Sequence, residues 1–202
     1  MAIPDNRLST VPHLDTYIPP DGYDRISLDD KELGPANLGD ISEGLTFQTW
    51  HLTYSDPDFT ITPGTSGTPI TTPTIPAVAN VTQLSFAFDQ NANITIAYTV
   101  GTTASLYWFD TVSAGYITTP SIADAISPFL CLDDKRITQR PASDVLLFYT
   151  KVVGPNWVLH MRRQRDRYAD EYDMQLPCWP YIWKLGMHEG LRLQITTRDT
   201  PP

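Results

Sequence analysis

Leu84-Ser85-Phe86-Ala87-Phe88, Ile94-Thr95-Ile96-Ala97-Tyr98 and Leu106-Tyr107-Trp108-Phe109 are the three runs that decide the fold class. Each has strand length and is rich in aromatic or β-branched residues, and the first two alternate in polarity. The breaks between them are turn chemistry. Asp89-Gln90-Asn91-Ala92-Asn93 closes the first run, and the second closes around Gly101. Asp and Asn bond their own backbone in turns, and Gly accepts positive φ at no steric cost. A third turn spans Asp110 to Gly115, and Tyr116-Ile117-Thr118-Thr119 reads as a short fourth strand. Four short strands at even spacing predict an antiparallel meander.

The pattern recurs downstream. Phe129-Leu130-Cys131-Leu132 leads into Asp133-Asp134-Lys135, then, past Pro141, into Asp144-Val145-Leu146-Leu147-Phe148-Tyr149. A turn at Gly154-Pro155-Asn156 precedes Trp157-Val158-Leu159-His160-Met161-Arg162. Asp89 and Asp133 stand 44 residues apart, close to the roughly 40–45-residue period of a four-stranded blade. Two successive units of one β domain are therefore expected, with Trp108 and Phe148 in its core. Leu45 to Tyr54 alternates as an earlier strand, and Gly190 to Thr196 as a final one.

The flanks read differently. Residues 1–40 lack any period and are punctuated by Pro4, Pro12, Pro19, Pro20 and Pro35, so an extended arm is expected ahead of a β domain at 41–202. Its Leu14, Tyr17, Ile18, Tyr23 and Ile26 are too apolar for a solvated tail, so the arm should dock on its own domain or a neighbour. The Thr/Pro-rich stretch 55–80 reads as a long loop or linker.

Composition narrows the partners. The 202 residues carry a formal net charge of -9, which disfavours general nucleic-acid binding. Eighteen prolines oppose helix throughout. No run is apolar enough to span a bilayer, and no signal peptide is visible, so synthesis in a cytoplasm is expected. Cys131 and Cys178 are then expected as free thiols.

Few residues carry a chemical signature. His13, His51, His160 and His188 show no zinc spacing. Asp133 and Asp134 read as a capped turn, because Lys135 and Arg136 follow at once. There is no nucleophile elbow, phosphate loop or dinucleotide fingerprint. A non-enzymatic protein without metal or cofactor is expected. Arg162-Arg163-Gln164-Arg165-Asp166-Arg167, followed by Asp170, Glu171 and Asp173, has two readings. One is an internal ion network. The other is a partner-binding row of Arg163, Arg165 and Arg167, which share a face if the segment is extended. The aromatic run Trp179, Tyr181 and Trp183 is either core or an exposed anchor for a partner or a sugar.

The stretches Leu84–Gln90, Ile96–Tyr98 and Leu106–Asp110, with Leu132–Arg136, Ser143–Tyr149 and Arg162–Tyr168, resemble blades of propeller-like tail and neck proteins of short-tailed bacteriophages. The relevant members are adaptor, nozzle and fibre-attachment proteins. The resemblance spans roughly residues 81 to 172. It implies a partial propeller-like or sandwich domain and a structural role in the virion. The partners it implies are portal, adaptor, nozzle or fibre subunits, in a homo-oligomeric ring. A carbohydrate-binding adhesin module is the alternative reading, and a glycosidase a further one.

Overall fold

A computed structural model describes residues 36–40, 46–63, 73–89, 93–118, 121–132, 145–188 and 192–199. The protein is mainly β and its sheets are antiparallel, as the alternating runs require. Sheet A holds β1 (Ala36–Asp40), β2 (Thr46–Ser55) and β3 (Asp58–Pro63). Sheet B is the expected meander of β4 (Val81–Phe88), β5 (Ile94–Val100), β6 (Thr103–Asp110) and β7 (Gly115–Thr118). A short β8 (Ile122–Ala123) also pairs with β6. Sheet C repeats the plan with β9 (Ala125–Leu132), β10 (Val145–Val153), β11 (Asn156–Arg163) and β12 (Tyr172–Cys178). Sheet D is the hairpin of β13 (Tyr181–His188) and β14 (Arg192–Arg198).

The sheets stack in chain order, because sheets B and C each bury both faces. One face of sheet B presents Leu84, Phe86, Ile94, Ile96, Tyr98 and Tyr107 to Leu52 and Tyr54 of β2. Its other face presents Ala87, Ala97, Ala104, Leu106 and Trp108 to Leu130, Val145, Leu147, Tyr149 and Tyr168. Sheet C then turns Cys131, Leu146, Phe148 and Leu159 toward Ile182 and Leu185 of β13. The period of two along each strand makes this split possible, since neighbouring residues serve different layers. Each fully buried large side chain contributes roughly 1.5–3 kcal/mol.

The first strands of successive sheets, β1, β4, β9 and β13, lie beside one another, as in the blades of a propeller-like domain. Ser127 of β9, fully buried with φ 54°, ties three of these sheets together. Its N–H donates to Gln83 Oε1 of β4 at 2.7 Å, and its hydroxyl accepts from Ile182 N–H of β13 at 2.7 Å. Ser85 Oγ of β4 accepts from Leu130 N–H at 3.0 Å. The spacing of Gln83 and Ser127 is the 44-residue period seen in the sequence.

Three segments differ from the sequence reading. Within 55–80, expected as loop, Asp58–Pro63 forms β3. Phe59 and Ile61 alternate with Thr60 and Thr62, and the flanking prolines cap the strand without interrupting it. Ile75 and Val78, farther along the same stretch, pack against the core, and residues 64–72 lie outside the described residues. Within the expected arm, Ala36–Asp40 forms β1, and residues 1–35 lie outside the described residues. Strand β12 has no counterpart in the sequence reading, and β13 is longer than the short aromatic run at Trp179–Trp183 that opens it. The Asp133–Asp134 turn also lies outside the described residues.

Candidate functional site

Two features stand out on this scaffold: a network of charged groups on one face of sheet C, and an apolar patch at one end of it.

The network begins with the hairpin of β10 and β11. Its register sets Tyr149 opposite His160 and Leu147 opposite Arg162. Tyr149 and Lys151 therefore share a face with His160 and Arg162. Beyond β11 the chain makes a 3-10 turn, Gln164–Asp166, and then takes positive φ at Arg167 and Tyr168. That reversal brings Glu171 back over the hairpin. Its carboxylate accepts from Tyr149 Oη at 2.5 Å, Arg162 Nη2 at 3.1 Å and Lys151 Nζ at 3.2 Å. Arg162 also donates to Tyr149 Oη and to the carbonyls of Tyr168 and Ala169. Burial pushes the Glu171 carboxyl upward, but the Tyr149, Arg162 and Lys151 hydrogen bonds outweigh it and hold the pKa at about 2. Burial, and then the Glu171 hydrogen bond, raises the pKa of Tyr149. A carboxylate held this way is a weak proton acceptor at neutral pH. Its chemistry is that of a clamp binding the turn to the sheet.

The three arginines of the expected partner-binding row are dispersed by the same turn. An extended segment would align Arg163, Arg165 and Arg167, but residues 164–166 are coiled. Arg163 ends β11 and pairs with Asp166 at 2.6 Å, with its guanidinium also bonded to Tyr172 Oη and set over that ring. Arg167 forms a two-pronged bond to Asp110, 3.1 Å through Nε and 2.8 Å through Nη2. Arg165 is exposed. Arg163 and Arg167 thus serve the internal network.

The aromatic run is likewise divided. Trp179 sits in the turn between β12 and β13 and is 59% exposed, with its N–H bonded to Thr197 Oγ1. Tyr181 begins β13 and is partly buried. Trp183 occupies the register irregularity between Ile182 and Lys184.

Trp179 has apolar company that the sequence did not single out. Val152 faces Trp157 across β10 and β11, and Trp157 faces Cys178 across β11 and β12. The row ends next to Trp179. Val152 and Val153 are 53% and 47% exposed, and Trp157 is partly exposed. Burial raises the Cys178 thiol to about 11, so it stays protonated and apolar in character. The signal was in the hairpin itself. Counting back from the Gly154-Pro155 turn places Val152 across from Trp157.

Among the described residues, no group of three or more His, Cys, Asp or Glu side chains could hold a metal ion. Nor is any helix among them long and apolar enough to cross a membrane. The chain matches no family model, and neither curated proteins nor solved structures match it.

Proposed function

We propose that this chain is a structural subunit that works by protein–protein assembly, as a component of a short-tailed phage tail or neck. The observation that supports the assembly reading is the set of exposed or partly exposed apolar residues Val152, Trp157 and Trp179 at the end of sheet C. Large apolar side chains gathered at one surface mark contact sites, and Trp is the residue most enriched among binding hot spots. The charged side chains on the opposite face of sheet C are engaged with one another, which fits a scaffold more than a reactive centre. The phage assignment rests on the resemblance of the two meanders to tail and neck blades. Portal, adaptor, nozzle or fibre subunits are the partners it implies, with the chain in a ring of its own copies.

The test is reconstitution. The chain is co-expressed with the portal, adaptor, nozzle and fibre proteins encoded beside it, and complexes are sized by light scattering. Purified particles are examined for the chain by mass spectrometry. A stoichiometric complex and presence in particles are expected. A monomer that joins none of them and is absent from particles would overturn the reading. The exposed Trp179 also supports a second reading, a carbohydrate-binding module, because an open indole face stacks on sugar rings. Glycan-array binding lost in Trp179→Ala would favour it.

A further inference from the structure

His160 is buried, at 5% exposure, and neither ring nitrogen has a hydrogen-bond partner among the described residues. A neutral imidazole carries one donor and one acceptor, so both are desolvated without return. The ring lies flat against Tyr149, with centroids 5.8 Å apart and planes 13° from parallel. Nδ1 is 3.4 Å from Glu171 Oε1, within ion-pair range but outside hydrogen-bond geometry. The charged groups that face it are Glu171 and Asp173, Lys151 from β10 and Arg162 on its own strand. Two acids and two bases balance while the imidazole is neutral.

Its place in the ladder matters. His160 stands opposite Asp173 in the pairing of β11 with β12, beside a register irregularity between Val158 and His160. Beyond that break the register pairs of the outer strand are Val158–Pro177 and Trp157–Cys178. Strand β12 also includes Gln175 at φ 52° and Pro177. The outer strand of sheet C is therefore interrupted beside the residue that carries the imidazole.

We propose that His160 is an acid-sensitive latch on β12: neutral it leaves the strand paired beside β11, and protonated it releases the strand. A proton taken from solvent onto the ring adds one positive charge to a buried group that faces Glu171 and Asp173 as well as Lys151 and Arg162. The new N–H has two outlets. It can draw Glu171 away from Tyr149, Arg162 and Lys151, or it can reach water through the irregularity. Both loosen β12. Burial lowers the affinity of the closed form for this proton, with Glu171 and Asp173 offsetting part of the effect. The sign follows. An open strand binds the proton at the ordinary histidine pKa and the closed strand at a lower one, so acid favours opening. Glu171, with its pKa near 2, stays ionised throughout.

Amide hydrogen exchange across Tyr172–Cys178, corrected for intrinsic rates, tests this between pH 7.5 and pH 5.0. Below the ordinary histidine range, protection of β12 should fall by up to about tenfold per pH unit. His160→Phe keeps a ring on Tyr149 and removes the titration, so its β12 protection should not depend on pH. His160→Gln serves the same purpose if the Phe variant does not fold. Direct titration of His160 by NMR should give a midpoint below the ordinary histidine value. Equal acid response in wild type and variant would overturn the latch. So would unchanged β12 protection at pH 5.0, or a loss shared equally by β5 and β10.

Discussion

Asp110 is 1% exposed in its side chain and still ionised, and its surroundings explain how. Burial works against its charge, but the hydrogen bonds from Ser113 and Arg167 outweigh it, helped by the Val112 N–H, and hold its pKa below the usual carboxylate value. Arg167 itself is 53% exposed, so the pair is asymmetric. Arg167→Ala leaves Asp110 its backbone donors from Val112 and Ser113. Asp110→Ala removes every one of these bonds and opens the turn after β6. The Asp110 variant should therefore melt lower than the Arg167 variant, and both below wild type, by differential scanning calorimetry. The apolar side is easier to judge. Trp108 and Phe148, at 2% and 1% exposure, are core residues as their strands imply. Truncation of either to Ala should cost about 3–5 kcal/mol in urea titrations, since it adds a cavity to the lost burial. Wild-type melting behaviour in either variant would contradict that. Residue type and strand parity are enough to mark these aromatics as core. They did not tell where Arg163 and Arg167 end up, because that depends on a 3-10 turn and two αL residues without glycine.

At the scale of elements, β4 to β7 and β9 to β11 were legible because their alternation is written in aromatic and β-branched residues. β3 was hidden by its prolines, which lie at its ends, where the ladder tolerates them. β12 was hidden by its composition: Tyr172-Asp173-Met174-Gln175-Leu176-Pro177-Cys178 carries an acid, an αL residue and a proline. Such a strand gains little from its own sequence and is held by its neighbours. Glu171 is the main tie at its start, through Tyr149, Arg162 and Lys151. The pH dependence follows from the direction of its shift. The folded pKa of about 2 lies below the ordinary 4.5, so the stabilisation is complete above pH 4.5 and is lost as pH falls through 2. Urea midpoints should drop across that window in wild type. Glu171→Gln should be less stable at neutral pH and show a shallower acid decline, the two curves converging near pH 2. Parallel curves would show that the stabilisation comes from elsewhere.

The whole molecule is a stack of sheets whose first strands meet at one side, with Ser127 joining β4, β9 and β13. The sequence carried the repeat of 44 residues, and so the two central layers. Of the layers at either side it carried one strand each, β2 and β14, and not their full sheets of three and two strands. This architecture also decides what is left at the surface. The inner face of sheet C toward sheet D buries Phe148, Leu159 and Cys131. The same face continues past the cover of the β13–β14 hairpin to Val152, Trp157 and Cys178, with Trp179 in the following turn. The patch is thus the exposed end of a core layer, with Val152 and Trp157 held in register by the β10–β11 hairpin. Side chains already held in a paired hairpin lose less conformational entropy on docking than free ones, which favours an assembly contact. Replacing Val152 with Thr and Trp179 with Ser should leave the melting temperature near wild type, because both side chains are about half exposed or more. The same double variant should lose complex formation with its partner subunit by at least about tenfold in affinity, the scale of one hot-spot tryptophan. Isothermal titration calorimetry checks both the affinity and a less negative heat-capacity change on binding, the mark of lost apolar burial. Unchanged affinity would remove the patch from the interface. A lowered melting temperature would make Trp179 part of the fold, and the end of sheet C would then have no role in assembly.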